Sequence, residues 1–190
     1  MRNLKARQKE ESRERILKAA SQLFRAQGFH ATGVDELMEK AGLTAGAFYA
    51  HFKSKDELLR ESLRYGLEKN RGLLLQGTEH LKGREFVEAV LCRYVSEVHR
   101  DKPWTGCPLP AVGAEIHRAS SETSEITSVY IQEWVKLFAP HLTGTPKERK
   151  AEALRLISQA VGAILLSRMV EPAISKEILM AARDSNRNQS

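Results

Sequence analysis

The run ATGVDELMEKAGLTAGAFYAHFKSKDELL, residues 31–59, leaves few options other than two short helices joined by a tight turn and followed by a third helix. Val34, Leu37, Met38 and Ala41 recur at helical spacing. Thr32 stands where an N-cap belongs, with Asp35 three residues on to reach back to it. Gly42 follows the last periodic residue, where a left-handed terminator is wanted and glycine adopts it without strain. Leu43 then tucks under the turn, and Thr44 caps a second helix expected to reach about Phe52. Ser54-Lys55-Asp56-Glu57 has the form of a second capping box. This order is that of a helix-turn-helix, whose second helix lies in the major groove of DNA. The competing reading is an ordinary helical hairpin inside a larger bundle.

The surface of the second short helix separates the two. Phe48 and Phe52, four residues apart, share a buried face, while Ala45, Gly46, Ala47, Tyr49 and Ala50 occupy the other. A face meant only for solvent normally carries Lys, Glu or Gln; small residues fit a surface that another molecule approaches closely. Tyr49 and His51 flank it with groups able to hydrogen-bond phosphate, and Lys53 and Lys55 follow. Lys55 stands in the first turn of the next helix, where a cation opposes the helix dipole, which suits a phosphate partner.

Residues 15–59 resemble the DNA-binding domain of the TetR/AcrR family of bacterial transcriptional regulators. The likeness is carried by Arg15-Ile16-Leu17-Lys18-Ala19-Ala20, Leu23-Phe24, Gly28-Phe29, Thr32, Val34-Asp35, Ala41-Gly42-Leu43-Thr44, Gly46, Phe48-Tyr49, His51-Phe52, Ser54-Lys55 and Leu58-Leu59. The resemblance implies an all-helical fold, with three N-terminal helices for DNA and a larger C-terminal bundle for dimerisation and ligand. Residues 1–53 are then the arm and helix-turn-helix, and residues 54–190 the effector-binding and dimerisation domain. Its DNA-contacting set here is Thr32, Gly33, Thr44, Ala45, Gly46, Ala47, Tyr49, His51, Lys53 and Lys55. Gly33 and Ala47 depart from the family, which often has a hydroxyl residue at each place; at Ala47 apolar contact with a thymine methyl can replace a polar one.

Charge supports a polyanionic partner. The net charge is +6, and residues 1–60 hold 12 Lys/Arg against 8 Asp/Glu, so most of the excess lies beside the helix-turn-helix. Arg2, Lys5, Arg7 and Lys9 come with no acid among the first nine residues and are expected to form a mobile arm for phosphates or a minor groove, or else a solvated tail. The chain has no apolar run of transmembrane length, no secretory leader and too few cysteines for a disulfide framework, which makes the cytoplasm the simplest compartment.

Along the chain, residues 12–27 are expected as the first helix, with Ile16, Ala19, Ala20, Leu23 and Phe24 inward. The third runs from Ser54 to about Gln76 with Gly66 and Gly72 as weak points. Helices over 84–100, with Val98 inward, 107–118, 122–141 and 145–170 follow, and Pro172 restarts a last one that fades into a polar tail over 184–190. Leu154, Ile157, Val161, Ile164 and Leu165 on the penultimate helix and Ile178 on the last form an apolar face expected to pair with a second copy. A two-fold homodimer would set two reading helices on a near-palindromic double-stranded operator.

Tyr94, Trp104, Tyr130, Trp134 and Phe138 are candidates for the wall of an apolar effector pocket, which the resemblance implies. Cys107, after Gly106 and near Arg100 and Lys102, stands at an expected helix start that would favour a thiolate; it joins the ligand set and raises thiol-based redox or electrophile sensing as an alternative, against simple packing. No phosphate loop, HExxH, CxxC or nucleophile elbow is present, and the scattered histidines lack ligand spacing. The reading is therefore a non-enzymatic, ligand-responsive regulator, more readily a repressor than an activator, with no cofactor, no metal and no membrane; a structural helical dimer is the rival.

Overall fold

The computed structural model describes residues 2–187, and among them every regular element is helical. The helices are α1 (Arg2–Gln27), α2 (Val34–Lys40), a 3-10 segment (Ala45–Ala50), α3 (Lys55–Leu75), α4 (Gly83–Tyr94), α5 (Glu97–Asp101), α6 (Leu109–Arg118), α7 (Ser121–Phe138), a 3-10 turn (Ala139–His141), α8 (Pro146–Ser167) and α9 (Pro172–Arg187). The residues 188–190 of the expected polar tail lie outside this description.

One apolar core runs through the molecule. At the N-terminal end α1, α2 and the 3-10 segment close around Ile16, Phe24, Leu37, Met38, Phe48 and Phe52. Leu58, Leu59, Leu63, Leu67 and Leu74 face inward along α3, as their spacing predicts, so α3 carries that packing from α1 toward α4 and α7. Gly66 does not bend this helix. A Cβ there would lie 2.6 Å from Ser21 Oγ on α1 and 3.0 Å from Pro108 Cγ before α6, so the glycine lets three segments cross closely. Gly72 has open space around it. Among the described residues no helix is long and apolar enough to cross a membrane.

Several boundaries differ from those expected, each for a local reason. The basic arm is helix: α1 begins at Arg2, because residues 2–14 contain no glycine, proline or β-branched residue to stop it, and the apolar stripe that set the expected start at Ser12 reports burial rather than helicity. Thr32 is not a cap. Its hydroxyl donates to Gly28 O at 2.7 Å, and Gly33 is the N-cap of α2 with no side-chain bond, so Asp35 closes no box. The reading segment is a 3-10 helix of six residues ending at Ala50, longer than the three to four residues usual for that form. The helix expected over 84–100 breaks at Val95–Ser96, where Ser96 Oγ accepts from His99 N and starts α5; this turns Val98 out to solvent and His99 into the core. α6 begins at Leu109, two residues after Cys107. α7 ends at Phe138, before Pro140, and α8 ends at Ser167. The cap at Ser54 forms as predicted, and Ser120 and Thr145 cap α7 and α8, the latter with the full reciprocal box to Glu148.

Two glycines of α3 therefore have opposite expected responses. Gly72→Ala should stabilise by about 0.5–1 kcal/mol through helix propensity alone. Gly66→Leu should destabilise by about 1–3 kcal/mol by overpacking the crossing. Urea midpoints at constant m-value check both, and equal responses would remove the crossing from the account.

Candidate DNA-reading face and effector cavity

The turn of the helix-turn-helix forms as its sequence requires. Gly42 takes φ +67°, Leu43 N donates to Met38 O at 2.9 Å and Gly42 N to Glu39 O at 2.8 Å, the paired bonds of a Schellman end. Arg15 Nη2 donates to Gly42 O at 2.9 Å, tying the turn back to α1. Beyond it Phe48 is buried, its ring 6.0 Å from that of Phe52, and this fixes which side of the segment turns outward. Thr44, Ala45, Gly46, Tyr49 and Ala50 are exposed, Tyr49 to 75%, and Ala47 is half-buried. Gly33 and Lys53 are also exposed.

Two residues of the expected contact set are bonded within the protein, and a third, His51, is half-buried with its Nδ1 unpaired. Thr32 is only 2% exposed and its hydroxyl is bonded to Gly28 O. Lys55 Nζ donates to Phe29 O at 2.6 Å and lies 4.4 Å from the Phe29 ring centroid, so a carbonyl and an aromatic face compensate the cation at the start of α3. His51 is half-buried; burial first, then the charges of Lys9 and Arg13, push its pKa down, so it meets a partner as a neutral imidazole.

A second site lies in the C-terminal bundle. A narrow cavity of about 30 Å³, enough for roughly one water molecule, is bounded by Tyr94 on α4, Cys107 before α6, Tyr130, Trp134 and Phe138 on α7, and Ile157, Ala160 and Val161 on α8. Five of the six expected pocket residues meet there. Trp104 does not: it is 43% exposed in the loop before α6. Edge-to-face contacts link Tyr130 to Trp134 and Trp134 to Phe138, with ring centroids 6.2 and 5.3 Å apart.

Sequence reasoning missed His99, which organises the Cys107 end of this cavity. Its Nδ1–H donates to Tyr94 O at 2.7 Å and its Nε2 accepts from Cys107 N at 2.8 Å, which defines a neutral tautomer. Burial lowers its pKa to about 4, and Arg168 and Arg25 push the same way. The only sequence signal was Ser96 three residues earlier, a cap that turns His99 inward. Burial also raises the Cys107 thiol, outweighing Arg25 and Arg168, which pull it down. The thiolate expected at Cys107 is therefore absent in this conformation, because the residue is fully buried and precedes the helix rather than opening it. His99 and Cys107 meet by a backbone bond; among the described residues no three His, Cys, Asp or Glu side chains are placed to hold a metal.

The two sites are joined by charged side chains on backbone groups. Arg25 of α1 donates through Nε to Ser21 O and through Nη1 to Gly106 O, next to Cys107. Glu115 of α6 accepts from Phe29 N at 3.0 Å and from His30 N at 3.4 Å, in the loop between α1 and α2.

A family model described as bacterial regulatory proteins, tetR family, matches residues 16–62. Over 166 residues, 83% of this chain and 86% of its relative, the chain is 28% identical to the HTH-type transcriptional regulator LmrA of Bacillus subtilis. It is 37% identical over 94 residues to the HTH-type transcriptional regulator SrpR of Pseudomonas putida, covering 50% of this chain and 43% of that one. Its fold matches reduced NemR of E. coli with a TM-score of 0.76 at 20% identity, over 93% and 96% of the two chains. A TetR-family regulator from Cytophaga hutchinsonii superposes with a TM-score of 0.75 at 20% identity, over 95% of each chain. The chain belongs to the TetR family. It is a helix-turn-helix transcriptional regulator and not an enzyme, as its relatives are.

In this TetR-family protomer the apolar residues of α8 divide between two directions. Ile164 is 0% exposed and belongs to the chain's own core, while Ile157 and Val161 turn toward the cavity; α8 packs against α5, α6, α7 and α9, and that takes up part of the face expected to pair. Ile178 is half-buried against the core. Leu154 and Leu165 do face outward, joined by Leu166, Met169, Val170, Ile174 and Met180.

The buried groups make two predictions. His99 is held neutral in the folded state, so the stability it contributes is complete above the unfolded pKa of about 6.5 and is lost as pH falls toward 4, a loss of about 3 kcal/mol between pH 7 and pH 4. In His99→Gln, unfolding free energy should fall less steeply over that range by this amount; identical slopes would contradict the assignment. For the thiols, iodoacetamide should label half-buried Cys92 at least about 100-fold faster than Cys107 in native protein, with the difference vanishing in denaturant. Comparable native rates by peptide mass mapping would show that the cavity wall opens freely.

Proposed function

We propose that the protein is a homodimeric repressor that holds a near-palindromic operator and lets go when a small apolar effector enters the bundle cavity. The observation that carries this reading is mechanical: an exposed small-residue reading face and an enclosed aromatic cavity are tied by Arg25 to Gly106 O and by Glu115 to the loop before α2. Residues 1–53 read DNA, through Gly33, Thr44, Ala45, Gly46, Ala47, Tyr49 and Lys53, with neutral His51 at the edge. Residues 54–190 sense the effector and pair the subunits, through the outward apolar side chains of α8 and α9. The two-fold axis sets the spacing of two reading segments on two half-sites. The cytoplasm, where DNA is reached, is the compartment.

The cavity as it stands holds about one water, so any effector larger than that must part α7 from α8 or displace the segment at Cys107. Movement of that segment draws on Gly106, which Arg25 grips, and so on α1 and the reading unit beyond it. The effector's influence on DNA binding is limited to its differential affinity for the open and closed states. Thiol modification at Cys107 would act on the same wall, after an opening that exposes the sulfur.

Selection of genomic fragments by the purified protein across a salt series should enrich one near-palindromic site, with affinity falling steeply as salt rises. Tyr49→Phe should weaken that site about 3- to 10-fold with the salt slope unchanged, because the hydroxyl is uncharged, and should leave thermal stability unchanged. Unaltered affinity at matched salt would remove Tyr49 from the contact surface, and a selection without enrichment at any salt, in effector-free protein, would contradict the repressor reading.

A further inference from the structure

The bundle cavity has no charged side chain on its wall. Its polar side-chain groups are the hydroxyls of Tyr94 and Tyr130, the thiol of Cys107 and the indole N–H of Trp134 beside Tyr130. Both phenols are buried, and neither hydroxyl makes a well-formed hydrogen bond: that of Tyr94 has only the weakly accepting Cys107 sulfur beside it, and that of Tyr130 only the Trp134 indole, which has no acceptor to offer. An unpaired hydroxyl in an apolar interior is unfavourable, and phenylalanine would fill either place with no such penalty. Ser62, Ser167 and Ser175 each donate to a backbone carbonyl, while the Ser21 hydroxyl, pressed against Gly66 at the α1–α3 crossing, is the other buried hydroxyl without a partner among the described residues. Burial raises both phenols further, so each hydroxyl keeps its proton and is a donor in search of an acceptor. Both lie close to Cys107, at the end of the cavity where Arg25 and Arg168 stand behind the wall and favour a partial negative charge.

The rest of the wall selects shape. Trp134 and Phe138 offer aromatic surface on α7, and small Ala160 with Val161 faces them from α8, so the space opens as a slot between two helices. Tyr130 also lines a surface groove of about 370 Å³ between α3 and α7, whose other walls are Leu67, Ile126 and Val129 with a charged rim of Arg64, Glu68, Glu125 and Glu133, so this one residue separates the cavity from the groove.

Resting on the reading of this cavity as the effector site, we propose that the effector is a flat, uncharged aromatic molecule bearing an acceptor oxygen, of the aryl ketone or ester class, whose oxygen accepts hydrogen bonds from Tyr94 and Tyr130 while its rings lie between Trp134 and Ala160. A cation is disfavoured by Arg25 and Arg168 behind the wall. A full anion would lose its hydration without meeting a charged group on the wall itself.

Three probes of one ring size test this: 2-acetylnaphthalene, 2-ethylnaphthalene and 2-naphthoate, measured by equilibrium dialysis against the full-length protein. The ketone should bind about 10-fold tighter than the hydrocarbon and tighter than the carboxylate. In Tyr94→Phe/Tyr130→Phe the ketone's advantage should shrink to about 2-fold or less while hydrocarbon binding is kept. That variant gives up no well-formed hydrogen bond, so its thermal midpoint should stay close to that of the wild type, which separates a lost contact from a lost fold. Binding without a ketone preference, a preference that survives both substitutions, or tightest binding of the carboxylate would overturn the ligand class and leave the cavity as effector site. No binding of any of the three would overturn the cavity reading and the ligand class together.

Discussion

The close crossing at Gly66 is the constraint on which the rest of the molecule depends. There α3 passes between Ser21 of α1 and Pro108 at the head of α6, with no side chain to hold them apart. One residue before Pro108 is Cys107 on the cavity wall, and before that Gly106, whose carbonyl Arg25 holds from α1. The DNA-reading unit and the cavity therefore share a joint only a few residues wide. Tight packing of this kind transmits displacement, because dense interiors do not absorb it gradually.

The charges at this joint are used for position. Arg25 is half-buried and bonds two backbone carbonyls, and burial lowers its pKa to about 10, so it stays a cation at neutral pH. Glu115 receives the N–H groups of Phe29 and His30, while Lys55 holds the carbonyl of Phe29 from the other side. The loop leading into the helix-turn-helix is thus gripped at its N–H and C=O groups by side chains from two different helices. Charge-assisted bonds to backbone are among the stronger ones available, and they fix the angle at which the reading segment leaves the body. Lys55, which by its place in the chain suits a phosphate, is one of these grips; its helix position opposes the dipole, and the Phe29 carbonyl and ring compensate it locally.

The cavity has a different character. Its wall is aromatic and aliphatic, its two phenols are unpartnered, and its inner end is held by a neutral histidine between Tyr94 O and Cys107 N. His99 fixes the Cys107 backbone while leaving the sulfur and the phenols free to face the void. A site that is nearly full when empty and carries unsatisfied donors has a reason to change shape on binding, since a ligand both supplies the acceptors and requires the space.

What the amino-acid sequence determined by itself was local: the Gly42 turn, the caps at Ser54, Ser120 and Thr145, the inward leucines of α3, and the aromatic residues of α4 and α7 that meet in the cavity. Each depends on neighbours within a few residues, where capping and periodicity act. The tertiary structure alone decided which polar groups are free. Thr32 and Lys55 look like phosphate ligands until Gly28 O and Phe29 O are brought to them, and His99 looks like surface until the break at Val95–Ser96 turns it inward. It also divided one apolar face of α8 between core, cavity and solvent, a division set by which helices α8 crosses. The Thr32 and His99 bonds span only three to eight residues and depend on the path of an irregular loop, whereas for Lys55 and the α8 face the physical reason is range. A hydrogen bond or a burial across 25 to 90 residues leaves no periodic trace in the chain, because its partners are chosen by packing and not by spacing.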